Sequence, residues 1–536
     1  MGIADKTGDA VAMRRDIYEG STVKRALHAH FILKFVNLIL GLLFQVLVVK
    51  ILSPEEFATY AVLLAAMMAG ERALSFGIDR TILRFLPALS VQGELGQIVS
   101  LGKRLALIRL GALAIFILVL SFVARFSTNL LPVEVSTSTL VAFAIWFIGY
   151  TLYTDADALA QSLIEHVNST TIAAIEVLGR FSAVAWLGLY LHDASAHSVI
   201  TVCAITMITA ALSLTLRLLK PLSALLRSMG SKVEAPPERR ANVSQAITFA
   251  VANYASTISW LISSPATVRI IAASALNVLM LAAFSFAQGL YISFQRALPG
   301  LFILPSLEPI LMARASSGQG HEKTYTIFSV IFKAELICIM AALIATTIAG
   351  KDIIQVLSKP AYDAYYYILP VLILNLTFGT AYRILEIIAI INFKQRIFFL
   401  FWPLGLTSTL AMYLTVGAWG LWSVLIFPTI ENLLTIGILL FAFRRQEAWR
   451  ALDPLRSISL SLGSGLIVAA LFVAQHVVSV HYAHQGIFLA AAGIMLLILF
   501  IFLLRPFRHT ELETILTAMP SSRNFVRRFV LAISRP

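Results

Sequence analysis

Ionisable residues inside apolar runs are the candidates for chemistry in this chain. Lys34 interrupts HFILKFVNLILGLLFQVLVVKIL, and the adjacent Glu71 and Arg72 interrupt FATYAVLLAAMMAGERALSF. An isolated charge in hydrocarbon costs at least about 2.5 to 3.5 kcal/mol, so such a residue is expected to face a watery cavity, a partner or a substrate. At 1.5 Å per helical residue, Lys34 and Arg72 both fall within roughly 10 Å of one membrane face. A planar guanidinium fork and a mobile ammonium at one depth suit the oxygens of an anion. The alternative for both is snorkelling to the headgroups.

Further charges follow in later runs. Glu176 and Arg180 are four residues apart with the acid first, the favourable order for an ion pair within one helix. Arg180 is also a candidate cation of a cavity, exchanging Glu176, Asp155 or Asp157 for an anionic ligand. Arg383 and Glu386, three apart, repeat the ambiguity. Lys333 and Glu335, two apart, point to different faces of a helix, so at least one needs a partner elsewhere. Asp155, Asp157 and Glu431 lack an obvious local base; with Glu176 they are the candidates for coupling to H+ or Na+, since buried carboxylates can take up and release protons. Pro428 precedes Glu431 by about one turn and predicts a kink there. His476, His481 and His484 lack the order of a metal site and read as a surface loop. Tyr362 and Tyr365 to Tyr367 read as an aromatic belt.

These residues are positioned by membrane spans. The chain has 536 residues, 59% hydrophobic and 13% charged, with a mean hydropathy of +0.85; a soluble chain carries roughly 25% charged residues. Fourteen stretches are long and apolar enough to cross, or nearly so, beginning near His30, Glu56, Arg104, Ser138, Thr171, His197, Val243, Ile271, Tyr325, Tyr366, Arg396, Gly420, Ile458 and Gly486. Placed on alternating sides, 30 of the 41 Lys and Arg fall on one side and five, Lys50, Arg125, Arg269, Lys351 and Lys359, on the other, with six left inside spans. The positive-inside rule then puts both termini in the cytoplasm. The net charge of +13 therefore reflects orientation and not nucleic-acid binding. The two cysteines, Cys203 and Cys338, lie in apolar runs and offer neither a disulfide framework nor a metal site.

The organisation expected is a cytoplasmic tail at 1–28, a lobe of six spans at 29–218, a cytoplasmic linker at 219–241, a second lobe of six spans at 242–445, two further spans at 446–506, and a basic amphipathic tail at 507–536 lying on the inner leaflet. The lobes read as a repeat. Arg84-Phe85-Leu86-Pro87-Ala88-Leu89 recurs, as R-x-L-P-x-L, at Arg296-Ala297-Leu298-Pro299-Gly300-Leu301, 212 residues on. The same shift carries the first span onto the seventh, and a similar short turn follows each, Ser53-Pro54-Glu55 and Ser263-Ser264-Pro265. Internal repeats place a transport site at their interface.

The run Ile51-Leu52-Ser53-Pro54-Glu55-Glu56-Phe57-Ala58-Thr59-Tyr60-Ala61, followed by Phe76-Gly77-Ile78-Asp79-Arg80 and Arg84-Phe85-Leu86-Pro87, resembles the first hairpin of the Wzx-type polysaccharide-transporter flippases of the multidrug/oligosaccharidyl-lipid/polysaccharide exporter (MOP) superfamily. Ala58 stands where that family usually has Gly. The motif spans about 60 residues, and the repeated topology extends the likeness over residues 30 to 445. The resemblance implies an all-α membrane protein with two pseudo-symmetric six-helix lobes around a central cavity plus two C-terminal helices, 14 in all. It implies a flippase of the bacterial cytoplasmic (inner) membrane that moves a polyprenyl-diphosphate-linked oligosaccharide, such as an O-antigen, capsule or exopolysaccharide repeat unit, to the outer leaflet by alternating access. The cavity cations would be Lys34, Arg72, Arg180, Lys333 and Arg383. Membrane lipids, a polysaccharide polymerase and chain-length proteins are the partners implied, with no resident cofactor. A peptidoglycan lipid-precursor flippase and a cation-coupled multidrug exporter are the alternatives. A polymerase or ligase would need a sizeable external loop, which this topology lacks, and no Walker motif supports ATP hydrolysis; an enzyme is not expected.

Overall fold

The computed structural model describes residues 20–92, 95–130, 135–163, 165–191, 194–228, 250–251, 254, 257–258, 261–300, 321–391, 395–443, 451–477, 485–508, 511 and 534–535. Among them the chain is almost wholly helical. In order the helices are α1 (Gly20–Ile51), α2 (Pro54–Ala73), α3 (Ile78–Gln92), α4 (Leu95–Leu130), α5 (Thr137–Ser162), α6 (His166–Trp186, continued by a π turn to Leu191) and α7 (Ala196–Ser228). Then come α8 (Pro265–Ala275), α9 (Val278–Ala297), α10 (His321–Ile348), α11 (Gly350–Leu357), α12 (Ile368–Ile391), α13 (Phe401–Trp419), α14 (Leu421–Ala442), α15 (Pro454–Val477) and α16 (Gln485–Leu504). Eleven helices in the described residues are long and apolar enough to cross a membrane, or 12 if α2 and α3 are one bent span. Of the fourteen expected, the two not in that count are the seventh, which lies largely outside the described residues, and the eleventh, where α13 stands. Helix is the form that lets a span satisfy its own backbone in lipid.

Contacts divide the chain into two compact units, Met1–Ser274 and Ala275–Pro536. In the first, α5 packs along α7, and α1 along α6. Gly149 on α5 permits the close approach: a Cβ there would meet the backbone nitrogen of Ile208 at 2.9 Å. Phe116 of α4 stacks on Phe147 of α5, centroids 3.6 Å apart.

The hairpin of the resemblance starts α2 by a capping arrangement, with the Ser53 hydroxyl accepting from the Glu56 N–H and Pro54 at the first turn. Glu56 in turn accepts from the N–H of Ala196 at the start of α7 (2.5 Å). Read from sequence, Arg72 lies a few residues from the inner end of the second span; in the structure the helix ends at Ala73, and α3 leaves at 49°. Phe76 (φ +46°) and Gly77 (φ +69°) make the break in left-handed backbone. Helix α3 is amphipathic: Ile78, Phe85, Leu86 and Leu89 are buried against Ile98, Leu101 and Leu105 of α4, whereas Arg80 is exposed. Gly77→Ala is expected to destabilise the first unit by about 1–3 kcal/mol, because the residue needs positive φ and its Cβ would lie 2.7 Å from the carbonyl oxygen of Ala250. A thermal melt of the detergent-solubilised variant checks this; a melt like that of the wild type would show the break to be relaxed.

Two expectations are corrected by the course of the chain between 261 and 297. Ser264-Pro265 does begin a helix, and Ser264 caps it through the Thr267 N–H (3.3 Å). That helix, α8, runs for only 11 residues. The eighth span, expected from Ile271, begins instead at Val278, where the Asn277 side chain caps the Met280 N–H. Arg269, placed by charge sorting in an external turn, is buried in α8 and donates to the Ala61 carbonyl of α2 (3.4 Å). A Ser-Pro pair marks a helix start whether or not a span follows it. The described residues between 250 and 274, which fall within the stretch expected to open the second lobe, lie in the first of these two units.

In the second unit α12 packs against α9, α10 and α14, and α10 packs against both C-terminal spans, α15 and α16. The expected linker at 219–241 starts as helix, since α7 runs through Pro221 to Ser228. The rest of that linker lies outside the described residues, as do His481 and His484. Of the tail, Phe507–Arg508 pairs in parallel with Ser534–Arg535, and Glu511 is buried.

Candidate functional site

Each unit carries its own set of charges within the spans. Lys34 lies on α1 and is half-buried. Arg72 closes the last turn of α2; its side chain is 47% exposed and its Nε lies 3.5 Å from the carboxylate of the buried Glu71.

The break after α2 leaves carbonyls with no partner in the helix. Two side chains fill the role. The Tyr254 hydroxyl donates to the Ala73 carbonyl (2.5 Å), and Arg109 Nη1 donates to the Leu74 carbonyl (3.1 Å). The rest of that guanidinium forms a fork on Asp155, Nε to Oδ2 at 2.7 Å and Nη2 to Oδ1 at 2.5 Å. Asp155, which has no obvious base near it in the chain, thus takes one from the preceding span, 46 residues away and beyond the reach of local spacing. Arg109 is the residue that the sequence reading passed over. Its signal was available: one Arg in the apolar run of the third span and two Asp, Asp155 and Asp157, in the next. Asp157 points elsewhere, accepting from the Ser169 hydroxyl and, at 2.9 Å, from the amide of Gln161.

Glu176 and Arg180 form the expected pair on α6 (3.5 Å). The Thr206 hydroxyl of α7 adds a hydrogen bond to Glu176 (3.0 Å), and the guanidinium of Arg180 lies 4.4 Å from the ring centre of Phe44 on α1. Arg180 thus joins α1 to α6, and its side chain is 15% exposed.

Lys333 in the second unit is fully buried. Its ammonium donates to Asp453 Oδ2 (2.7 Å) and to both oxygens of Glu511 (2.9 and 3.0 Å). Glu511 also accepts from the Ser329 hydroxyl and the Arg508 N–H, each at 2.9 Å. Glu335 faces another way and accepts from the Gly300 N–H (2.9 Å). A side chain at Gly300 would collide with that carboxylate, which gives the glycine of the second R-x-L-P-x-L motif a packing role. The two-residue spacing read correctly: Lys333 and Glu335 each take partners elsewhere. Arg383 and Glu386 on α12 are half-buried. Glu386 follows Tyr382 by one turn on α12. Near Glu431, Asn432 of α14 donates to Asn375 of α12 (3.1 Å). Among the described residues no cluster of three or more His, Cys, Asp or Glu could hold a metal ion.

Solved structures share this arrangement of helices. A structure of the lipid II flippase MurJ in an inward closed conformation superposes with a TM-score of 0.61 at 12% identity, covering 88% of this chain and 98% of that one. A MOP superfamily transporter from Pyrococcus furiosus, described by the reversed polarity of its binding pocket, gives 0.55 at 12% identity over 80% of this chain and 96% of that one. An inward-facing multidrug resistance MATE family transporter of the MOP superfamily gives 0.53 at 12% identity over 78% and 98%. No family model matches the sequence, and no curated protein does. The chain has the fold of the MOP superfamily transporters. It is a multi-pass membrane protein.

Proposed function

We propose that this protein is a flippase that carries a polyprenyl-diphosphate-linked oligosaccharide from the inner to the outer leaflet of the bacterial cytoplasmic membrane by alternating access, with both termini in the cytoplasm. The observation that carries the reading is the contrast among the cations of the first unit. Arg109, Arg180 and Arg269 are largely or fully buried and bound to Asp155, Glu176 and the Ala61 carbonyl. Arg72 is paired with Glu71 at 3.5 Å, yet it keeps 47% of its side chain exposed at the end of α2, where an incoming anion can reach it. Lys34, half-buried on α1, is the second candidate for the diphosphate, and Arg383 the candidate in the second unit. Asp157, Glu176 and Glu431 are the candidates for H+ or Na+ coupling, and a polysaccharide polymerase is the partner that would consume the product.

A lipid II-type precursor flippase is the second reading, favoured by the coverage of the MurJ structure; its cargo presents the same diphosphate with a different glycan. The test is transport in proteoliposomes, with fluorescent polyprenyl-diphosphate lipids carrying either an oligosaccharide repeat unit or a peptidoglycan precursor. A charge-assisted hydrogen bond is worth about 1.5–3 kcal/mol, so Arg72→Ala is expected to slow oligosaccharide-lipid transport roughly 10- to 100-fold, with Arg72→Lys in between. Transport by Arg72→Ala at the wild-type rate would remove the diphosphate role. Faster transport of the peptidoglycan precursor would favour the second reading.

A further inference from the structure

A cavity of about 210 Å³ opens beside the break between α2 and α3. Its apolar walls include Phe76 of the break, Leu105 and Ile108 of α4, and Val251. Three polar residues also line it: Thr81, Tyr254 and Arg104. Two of these are already committed. The Thr81 hydroxyl donates to the Gly77 carbonyl (2.7 Å), and the Tyr254 hydroxyl to the Ala73 carbonyl. Arg104 is exposed and has no ion-pair or hydrogen-bond partner among the described residues. Exposed Arg80 and Lys103 add positive charge to the same stretch of α3 and α4.

The chemistry of the occupant follows from this lining. Water needs two to four polar partners and leaves an apolar cavity dry. The helix that supplies one wall, Gly96–Phe122, is long and apolar enough to cross a membrane, so a hydrocarbon chain is the filler at hand. The uncommitted guanidinium calls for an anion at the head of that chain. In the inner leaflet, anionic phospholipids supply both parts.

We propose that this cavity binds one acyl chain of an anionic phospholipid of the surrounding leaflet, with the lipid phosphate on Arg104. Phe76 forms a wall of the cavity and also stands in the left-handed break, where its ring packs on Tyr254 with centroids 4.9 Å apart. A lipid seated here braces the bend of the second span from outside. The site is independent of what the protein transports.

The test uses the full chain in phosphatidylcholine nanodiscs doped with a photoactivatable-acyl phosphatidylglycerol or phosphatidylcholine, with crosslinks mapped by mass spectrometry. The phosphatidylglycerol probe is expected to label the peptides spanning 101–108 and 250–254 at least fivefold more than the phosphatidylcholine probe. Arg104→Gln is expected to bring it down to the phosphatidylcholine level, and Arg104→Lys to keep most of the excess. Val251→Trp, which fills the cavity from an exposed position, is expected to abolish labelling by both probes and serves if Arg104→Gln does not fold. Unlabelled phosphatidylglycerol should compete. Equal labelling by the two probes, labelling indifferent to Arg104→Gln in a folded protein, or stronger competition by a polyprenyl phosphate than by phosphatidylglycerol would each overturn the proposal; the last would assign the cavity to the cargo's path.

Discussion

Lys333→Met is expected to lower the midpoint of thermal unfolding of the detergent-solubilised protein by on the order of 10 °C. The ammonium is fully buried and is shared by Asp453 and Glu511. Removing one partner of a buried ion group strands the others and costs about 3–5 kcal/mol, and each kcal/mol shifts the midpoint by roughly 2–4 °C in a unit of this size. The stranded acids differ. Asp453 keeps Arg508 at 3.7 Å and Arg456 at 3.9 Å, although both are partly exposed and therefore screened. Glu511 keeps the Ser329 hydroxyl and the Arg508 N–H. Adding Glu511→Gln should therefore restore more stability to Lys333→Met than adding Asp453→Asn. A Lys333→Met protein melting within 2 °C of the wild type would show that the node contributes little.

Arg109→Met has a comparable effect in the first unit, about 3–5 kcal/mol. The substitution leaves the carboxylate of Asp155 in the span without its fork and the Leu74 carbonyl without a donor. Arg109→Lys recovers only part, because one ammonium cannot reproduce three hydrogen bonds in a plane. Asp155→Asn in the Arg109→Met background should recover part of the loss, so that the double-mutant cycle gives a coupling energy above 1 kcal/mol. Additive effects in that cycle would show that the two residues act separately. Arg72 ends the helix whose break Arg109 holds, so transport by Arg109→Met should fall at temperatures where the protein is still folded.

The spans could be read from the sequence because hydrocarbon imposes a length of about 20 apolar residues, and few other patterns meet it. The Glu176–Arg180 pair could be read because four residues make one turn, and the outward look of Lys333 and Glu335 because two residues make half of one. Partners on other helices were out of reach: nothing near Asp155 in the chain points to Arg109, and nothing near Lys333 points to Glu511, 178 residues on. The break after Ala73 left one sign, Ser75-Phe76-Gly77 inside an apolar run, which reads equally well as a continuous span. Arg269 went to a loop because Ser264-Pro265 looks like the end of a hairpin, and only its burial shows that the helix begun there is short and packed on α2.

The position of Tyr254 and Arg269 in the chain bears on how the protein is made. Tyr254 binds a carbonyl made 181 residues earlier, and Arg269 one made 208 residues earlier. Membrane insertion proceeds with synthesis, so the first six spans enter the bilayer while the break of α2 still lacks one of its two donors. The first unit is complete only once the ribosome has passed residue 274. A gene divided between residues 229 and 249 would give an amino-terminal fragment lacking Tyr254 and Arg269. Division at Leu276–Asn277 would leave both with the carbonyls they serve, and co-expressed halves cut there should reassemble better.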